Sequence, residues 1–195
     1  MSGKVAGAVG RESLPWFSRH LAGINHVEPS QVRIFVTGGP GWRDLPDWPP
    51  ASRTRTLYLD AGSTLSEQPQ SADVPPSVFT YDPATPTPTI GGPLLSASKA
   101  GYRDDTALSM RDDVISSTTT PLTRDLEVIG TPSVELEHAT DNSHADVFVR
   151  LSEVNAKGKS RNVTEGYLRL TDEASPVRMT FAAIAHAFAP AHASG

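Results

Sequence analysis

In the stretch ADVFVRLSEV, residues 145–154, Val147, Val149 and Leu151 fall on one side of an extended chain, while Asp146, Phe148 and Arg150 fall on the other. A period of two is that of a pleated strand, whose successive side chains point to opposite faces, and it is incompatible with the 3.6-residue period of a helix. The alternation returns in PSVELEH (132–138), where Val134 and Leu136 oppose Glu135 and Glu137. Further strands are expected at VRIFV (32–36), TLYLD (56–60), SVFTY (77–81), DVISST (113–118), LEVIG (126–130), NVTEGYLRLT (162–171) and VRMTFAAI (177–184). Turn-forming residues separate them, at Gly130 to Pro132, around Gly158 and from Asp172 to Pro176. Many short alternating strands with such punctuation predict an all-β protein, a β-sandwich or jelly roll. Each inward Val or Leu contributes about 1.5–3 kcal/mol. Summed over these strands, that holds two layers together.

One segment keeps helical spacing. Ser13 is a plausible N-cap, Pro15 is tolerable in a first turn, Leu14, Phe17 and Leu21 recur on one face, and Gly23 ends the run, so a helix is predicted over 14–22. No later helix offers a surface to its bulky apolar side chains. It is expected to dock on something outside the chain or on the chain's own sheet.

A length of 195 residues allows one large domain or a domain with an appendage. The divisions expected are 1–30, holding the helix and a linker, and 31–195, holding the sandwich. The formal charge of −5 argues against nucleic acid, which needs clustered Lys and Arg. With no cysteine in the chain, disulfides, thiol catalysis and cysteine-based metal sites are excluded. No stretch approaches the roughly 20 apolar residues of a membrane span, and the opening residues are too short in apolar character for a signal peptide. A soluble, cytoplasmic protein is the expectation.

Two loops stand out. GGPGWRDLPDWPP (38–50) carries Trp42 and Trp48 among glycines and prolines, and the two rings either dock a partner or close one end of the core. The second loop, 80–110, begins with TYDPATPTPTIGG. Prolines 83, 86 and 88 fix φ, withhold N–H donors and push the preceding residues toward extended geometry, which predicts a stiff connector. Gly91 and Gly92 can then turn the chain at positive φ. The PxxP spacing of Pro83 and Pro86 lacks the basic flank of a partner-domain ligand.

The search for chemistry yields no catalytic, metal-binding or cofactor-binding residue. No G-x-S-x-G elbow occurs, and Gly62-Ser63 reads as a hairpin turn. TGGPGW lacks the G-K-[ST] that holds nucleotide phosphates. HATDNSHAD gathers His138, Asp141, His144 and Asp146 and could hold a divalent cation, although turns collect such residues for hydrogen bonding alone. His186 is expected as a hydrogen-bonded rim histidine, the Arg–Asp pairs of MRDDV (110–114) as structural, and Asn162-Val163-Thr164 as a sequon that matters only in a secreted protein.

Taken in order, WFSRHLAG, VRIFVTG followed by WRDLPDWPP, TLYLDAGSTLS, FTYDPATPTPTIGG, DDTALSMRDDVI, LEVIGTPSVEL and DVFVRLSEVNAKGKSRNVTEGYLRL resemble successive blocks of the C-terminal part of X-Pro dipeptidyl-peptidase and cocaine-esterase type serine hydrolases. The likeness covers roughly 15–192. It implies a jelly-roll (galactose-binding-like) sandwich that packs on an α/β-hydrolase catalytic domain, in cis or in trans, and shapes its active-site entrance. The parent reaction would be hydrolysis of X-Pro peptides, esters or amides. On this reading residues 1–30 hold a remnant of the end of the hydrolase domain. No position matches the family's Ser-Asp-His triad, so the chain alone is expected to be inactive. Trp16, Phe17, Leu21, Trp42, Trp48, Tyr81 and Asp82 become candidates for the domain interface. No cofactor, nucleic acid or membrane partner is implied, and homo-oligomerisation stays open. Asp105 and Thr106 depart from the family pattern, and Ala191 replaces a glycine after which the family adds further strands, so the terminal strands are expected to be missing. The competing expectation is a free-standing carbohydrate- or ligand-binding jelly-roll module.

Overall fold

A computed structural model describes residues 2–24, 32–60, 62–69, 75–96, 98–142, 144–170 and 176–190. In chain order the elements are helix α1 (Ser2–Ala22) and strands β1 (Val32–Val36), β2 (Gly41–Leu45), β3 (Tyr58–Asp60), β4 (Thr64–Ser66), β5 (Thr118–Thr119), β6 (Leu126–Gly130), β7 (Ser133–Leu136), β8 (Asp146–Val154), β9 (Ser160–Arg169), β10 (Val177–Thr180) and β11 (Ile184–Phe188). This is an all-β sandwich with one appended helix.

Helix α1 starts well before the predicted residue 14. Ser13 is therefore interior and no N-cap, and Pro15 sits inside the helix, where its missing N–H leaves the Arg11 carbonyl without its helical donor. Alanines with Arg11 and Glu12, all good helix formers, carry the helix through the earlier residues despite Gly7 and Gly10. The end falls where expected, with Gly23 at φ +65° and the Ile24 N–H reaching back to the Ser18 carbonyl at 3.1 Å.

The strands pair as short ladders. Hairpin β1–β2 runs antiparallel from Val32↔Leu45 to Val36↔Gly41. Strand β3 pairs β4, which in turn takes β5 in parallel. Pairs β6–β11 and β7–β10 join segments distant in sequence. The longest ladder, β8–β9, carries an irregularity at Leu151/Ser152 that lets both Asn162 and Glu165 meet the same overlying loop.

Four strand expectations need correction. Residues 41–45, read as loop, form β2; its Gly and Pro flanks hid a short run whose Arg43 and Leu45 are half-buried while Trp42 and Asp44 face water. SVFTY (77–81) is exposed and belongs to no strand, bracketed by Pro75, Pro76 and Pro83, which cannot donate to a ladder. Of DVISST only Thr118 joins a strand, and VRMTFAAI splits into β10 and the start of β11. The turn expected at 172–176 falls, except for Pro176, outside the described residues.

The core lies among β9, β10, β11 and the end of β1. Val36, Leu170, Val177, Met179, Phe181, Ile184 and Phe188 are buried there. A Cβ on Gly166 of β9 would sit 2.5 Å from Met179 Sδ and 2.6 Å from Phe181 Cδ1, so glycine at that point is what lets the two layers close.

Candidate functional site

The proline-rich connector reaches the β8–β9 sheet at its double glycine. Gly91 and Gly92 have φ of +67° and +74°, and they pair through Gly92 with Gly101 by two backbone hydrogen bonds of 3.0 and 2.9 Å. A Cβ on Gly91 would lie 2.5 Å from both Asn162 Oδ1 and the Gly101 carbonyl oxygen, and one on Gly92 would overlap the Glu165 carboxylate. Glycine is needed here for closeness of approach as well as for φ. Upstream, Arg111 forks onto Asp113 with two bonds of 2.7 Å and donates another of 2.7 Å to the Thr85 carbonyl. That pairing holds the Asp113 carboxyl below its ordinary range. The MRDDV segment is a clamp on the connector, the structural role expected of it.

Under the connector lies a buried ionic network. Arg150 of β8 donates to Glu165 Oε2 through Nε (3.1 Å) and Nη2 (2.7 Å), and its Nη1 stands 3.5 Å from Asp105 Oδ2. Asp105 is 3% exposed; its Oδ2 accepts from Ser152 Oγ at 2.8 Å, while Oδ1 has no hydrogen-bond partner. Asn162 is buried beside it, with Oδ1 accepting from the Arg103 N–H (2.7 Å) and Nδ2 donating to the Gly101 carbonyl (3.1 Å). Both ends of the sequon amide are therefore engaged in the fold.

A second polar centre surrounds His186. It was expected at the rim but is completely buried in the core, because β11 carries it inward between Ile184 and Phe188. Its partners Thr37 and Glu153 come from β1's end and β8, and Tyr102 donates its hydroxyl to Glu153. Burial, aided by that carboxylate, pushes the Tyr102 phenol up to about 12. Because the folded state favours the neutral phenol, this stabilisation is present below about pH 10 and is lost as pH rises through about 12. In a 295-nm titration, the step missing from Tyr102→Phe is expected near pH 12; a missing step near pH 10 would refute this environment.

The interface candidates divide. On α1, Trp16, Phe17 and Leu21 all face water, Leu21 at 76% exposure. On the outer face of the β1–β2 hairpin, Trp42 is 65% exposed, stacks edge-on against Phe35 at 5.4 Å and lies under the Arg33 guanidinium at 5.5 Å. Arg33 also pairs with Glu12 of α1 at 3.1 Å, which makes the helix and the hairpin face neighbours. Trp42 thus closes no core of its own chain, whereas Trp48 is half-buried. Tyr81 is exposed, and Asp82 shapes a turn, accepting from the Ala84 N–H (2.9 Å) and Thr85 Oγ1 (3.1 Å).

Within HATDNSHAD the Asn142 N–H donates to Thr140 Oγ1 (3.2 Å) and the His144 N–H to Asn142 Oδ1 (2.9 Å), while Asp146 pairs with Arg169 at 3.1 Å. Among the described residues no three His, Asp or Glu side chains are grouped to hold a metal ion, and no helix is long and apolar enough to cross a membrane.

Residues 25–193 match the family described as X-Pro dipeptidyl-peptidase C-terminal non-catalytic domain. Cocaine esterase of Rhodococcus sp. is 33% identical over 171 residues, which is 80% of this chain and 29% of that protein. A putative serine esterase of Mycobacterium bovis is 27% identical over 180 residues, 86% of this chain and 28% of the other. Among solved structures, an α-amino acid ester hydrolase superposes with a TM-score of 0.77 at 23% identity, over 96% of this chain and 36% of that one. An aminopeptidase from a marine sediment archaeon, Thaumarchaeota archaeon, gives 0.80 at 24%, over 95% and 36%. At these identities the two structures speak for the fold alone. The chain spans about a third of the length of the relatives it matches.

Proposed function

The chain belongs to the family of X-Pro dipeptidyl-peptidase C-terminal non-catalytic domains, and on that premise we propose that it packs on an α/β-hydrolase catalytic domain and shapes the entrance to that domain's active site. The observation that carries this reading is the set of exposed apolar side chains, Trp16, Phe17 and Leu21 on α1 and the Phe35–Trp42 pair on the hairpin, whose two elements are tied by the Arg33–Glu12 ion pair. Aromatic side chains clustered around an Arg are the usual anchors of a protein interface. On this proposal α1 is the closing helix of the catalytic domain, and the parent reaction is hydrolysis of X-Pro peptides, esters or amides. The isolated chain then has no esterase activity. Mixing it with a matching hydrolase domain is expected to give a complex and to raise ester cleavage, with Trp42→Ala weakening the complex about tenfold or more. Absence of both complex and rate gain would defeat the proposal.

A second reading, a sugar-binding module acting alone, draws on one observation. Phe148 and Tyr167 are cross-strand partners on the exposed side of β8–β9. Calorimetric titration with oligosaccharides separates it from the first.

A further inference from the structure

His186 is a buried titratable ring at the point where two parts of the fold are joined. Its Nδ1 lies 2.7 Å from Thr37 Oγ1, and that hydroxyl lies 3.1 Å from the Ala185 carbonyl. The hydroxyl has one proton. If it is given to Ala185, the Nδ1–H donates to Thr37 and Nε2 is left bare; if it is given to Nδ1, the Nε2–H points at Glu153 Oε2 across 3.6 Å, too far for a hydrogen bond. In either tautomer Nε2 has no hydrogen-bond partner.

Around this ring runs the joint between the β1–β2 hairpin and β11. Thr37 forms a parallel bridge with His186, receiving the Ala187 N–H at 2.9 Å and donating its own N–H to the Ala185 carbonyl at 3.0 Å. Thr37 itself is exposed, so the joint is one side chain away from water.

We propose that His186 is an acid-sensitive latch: protonation of its buried ring loosens the Thr37 joint and frees the β1–β2 hairpin from β11.

The charged groups facing the ring decide the direction. From β8, Glu153 offers a negative charge, but Oε1 already accepts the Ala189 N–H at 3.1 Å and Oε2 accepts the Tyr102 hydroxyl. From β9, Arg161 stacks over Tyr102 at 5.4 Å and adds positive charge on that side. On β6, Glu127 is held by Arg43 through two bonds of 2.6 Å. The β1 end contributes only Thr37 and glycines, and Phe188 packs edge-on at 4.5 Å. A second N–H charge has to form in this apolar, already-committed setting, and burial outweighs the pull of Glu153, holding His186 below its ordinary value of 6.5. A histidine depressed in the folded state stabilises fully above the unfolded value. That contribution is lost as pH falls from about 6.5 toward the folded value.

The test uses the 195-residue chain. Hydrogen exchange at the Thr37 and Ala187 amides, corrected for the intrinsic pH dependence, is expected to show the joint opening up to about tenfold more per pH unit below about 6.5. Amides inside the β8–β9 ladder should change less. The His186 ring resonance is expected to titrate below about 6.5. His186→Asn, which keeps a partner for Thr37 but cannot gain a proton, is expected to abolish the acid opening. A His186 midpoint at or above 6.5, equal acid opening in His186→Asn, or no protection of β8–β9 at pH 8 would each overturn the latch. Should His186→Asn fail to fold, the two wild-type measurements decide.

Discussion

Replacing Arg150 by alanine is expected to destabilise the domain by about 3–5 kcal/mol, read as a fall in the urea midpoint at unchanged slope. The side chain is 11% exposed and is the cation facing two carboxylates, Glu165 at 2.7 Å and Asp105 at 3.5 Å, which are themselves 13% and 3% exposed. Without it, two neighbouring acids remain away from water with no counter-charge. The penalty comes from that abandonment, since a well-packed apolar replacement of a whole buried network is often neutral. The triple variant Arg150→Met, Asp105→Asn, Glu165→Gln is accordingly expected to recover most of the loss. If Arg150→Ala shifts stability by less than about 1 kcal/mol, the range of an exposed pair, the network does not hold the connector to the sheet.

The second large effect is expected at the end of the connector. Gly91→Ala forces a Cβ into the left-handed region, at about 1–2 kcal/mol, and presses it onto the Gly101 carbonyl and Asn162 Oδ1, where overpacking adds about 1–3 kcal/mol. A total near 3 kcal/mol follows. Gly158 provides the control. It has φ +72° with open space around the missing Cβ, so Gly158→Ala carries the strain alone, about 1–2 kcal/mol. Equal losses at the two sites in parallel denaturant melts would show that close approach at Gly91 contributes nothing.

These two sites mark where sequence reading succeeded and where it stopped. The stiff connector and the positive φ of its double glycine were legible, because proline and glycine write their backbone preferences into the chain directly. Strands β1 and β6 were legible at their observed bounds, since Val32, Ile34, Phe35 and Val36 in VRIFV and Val128 and Ile129 in LEVIG favour strands and glycine-containing turns follow each run. Strand β2 was not: Arg43 and Leu45 show no hydrophobic alternation by composition, and pairing with β1 supplies the order. The reach of α1 past Pro15 was hidden because a proline reads as a first-turn residue unless the preceding turns propagate through it. The ionic network was invisible because Asp105, Arg150 and Glu165 converge only through the loop's return onto β8–β9. In the sequence Asp105 stands out solely as a departure from the family pattern; in the structure it is buried against Arg150. The second departure, Thr106, shares a hydrogen bond with Asp104 and accepts from the Ser160 N–H.

Thr37 and His186 are separated by 149 positions. A ribosome adding about 5–20 residues per second needs roughly 7–30 seconds to travel that distance. The amino-terminal hairpin can pair within itself on a microsecond scale, yet its anchor on β11 does not exist until those intervening residues have been added. During that interval the hairpin is held by its own ladder and by nearer partners such as Glu12, without its joint to β11.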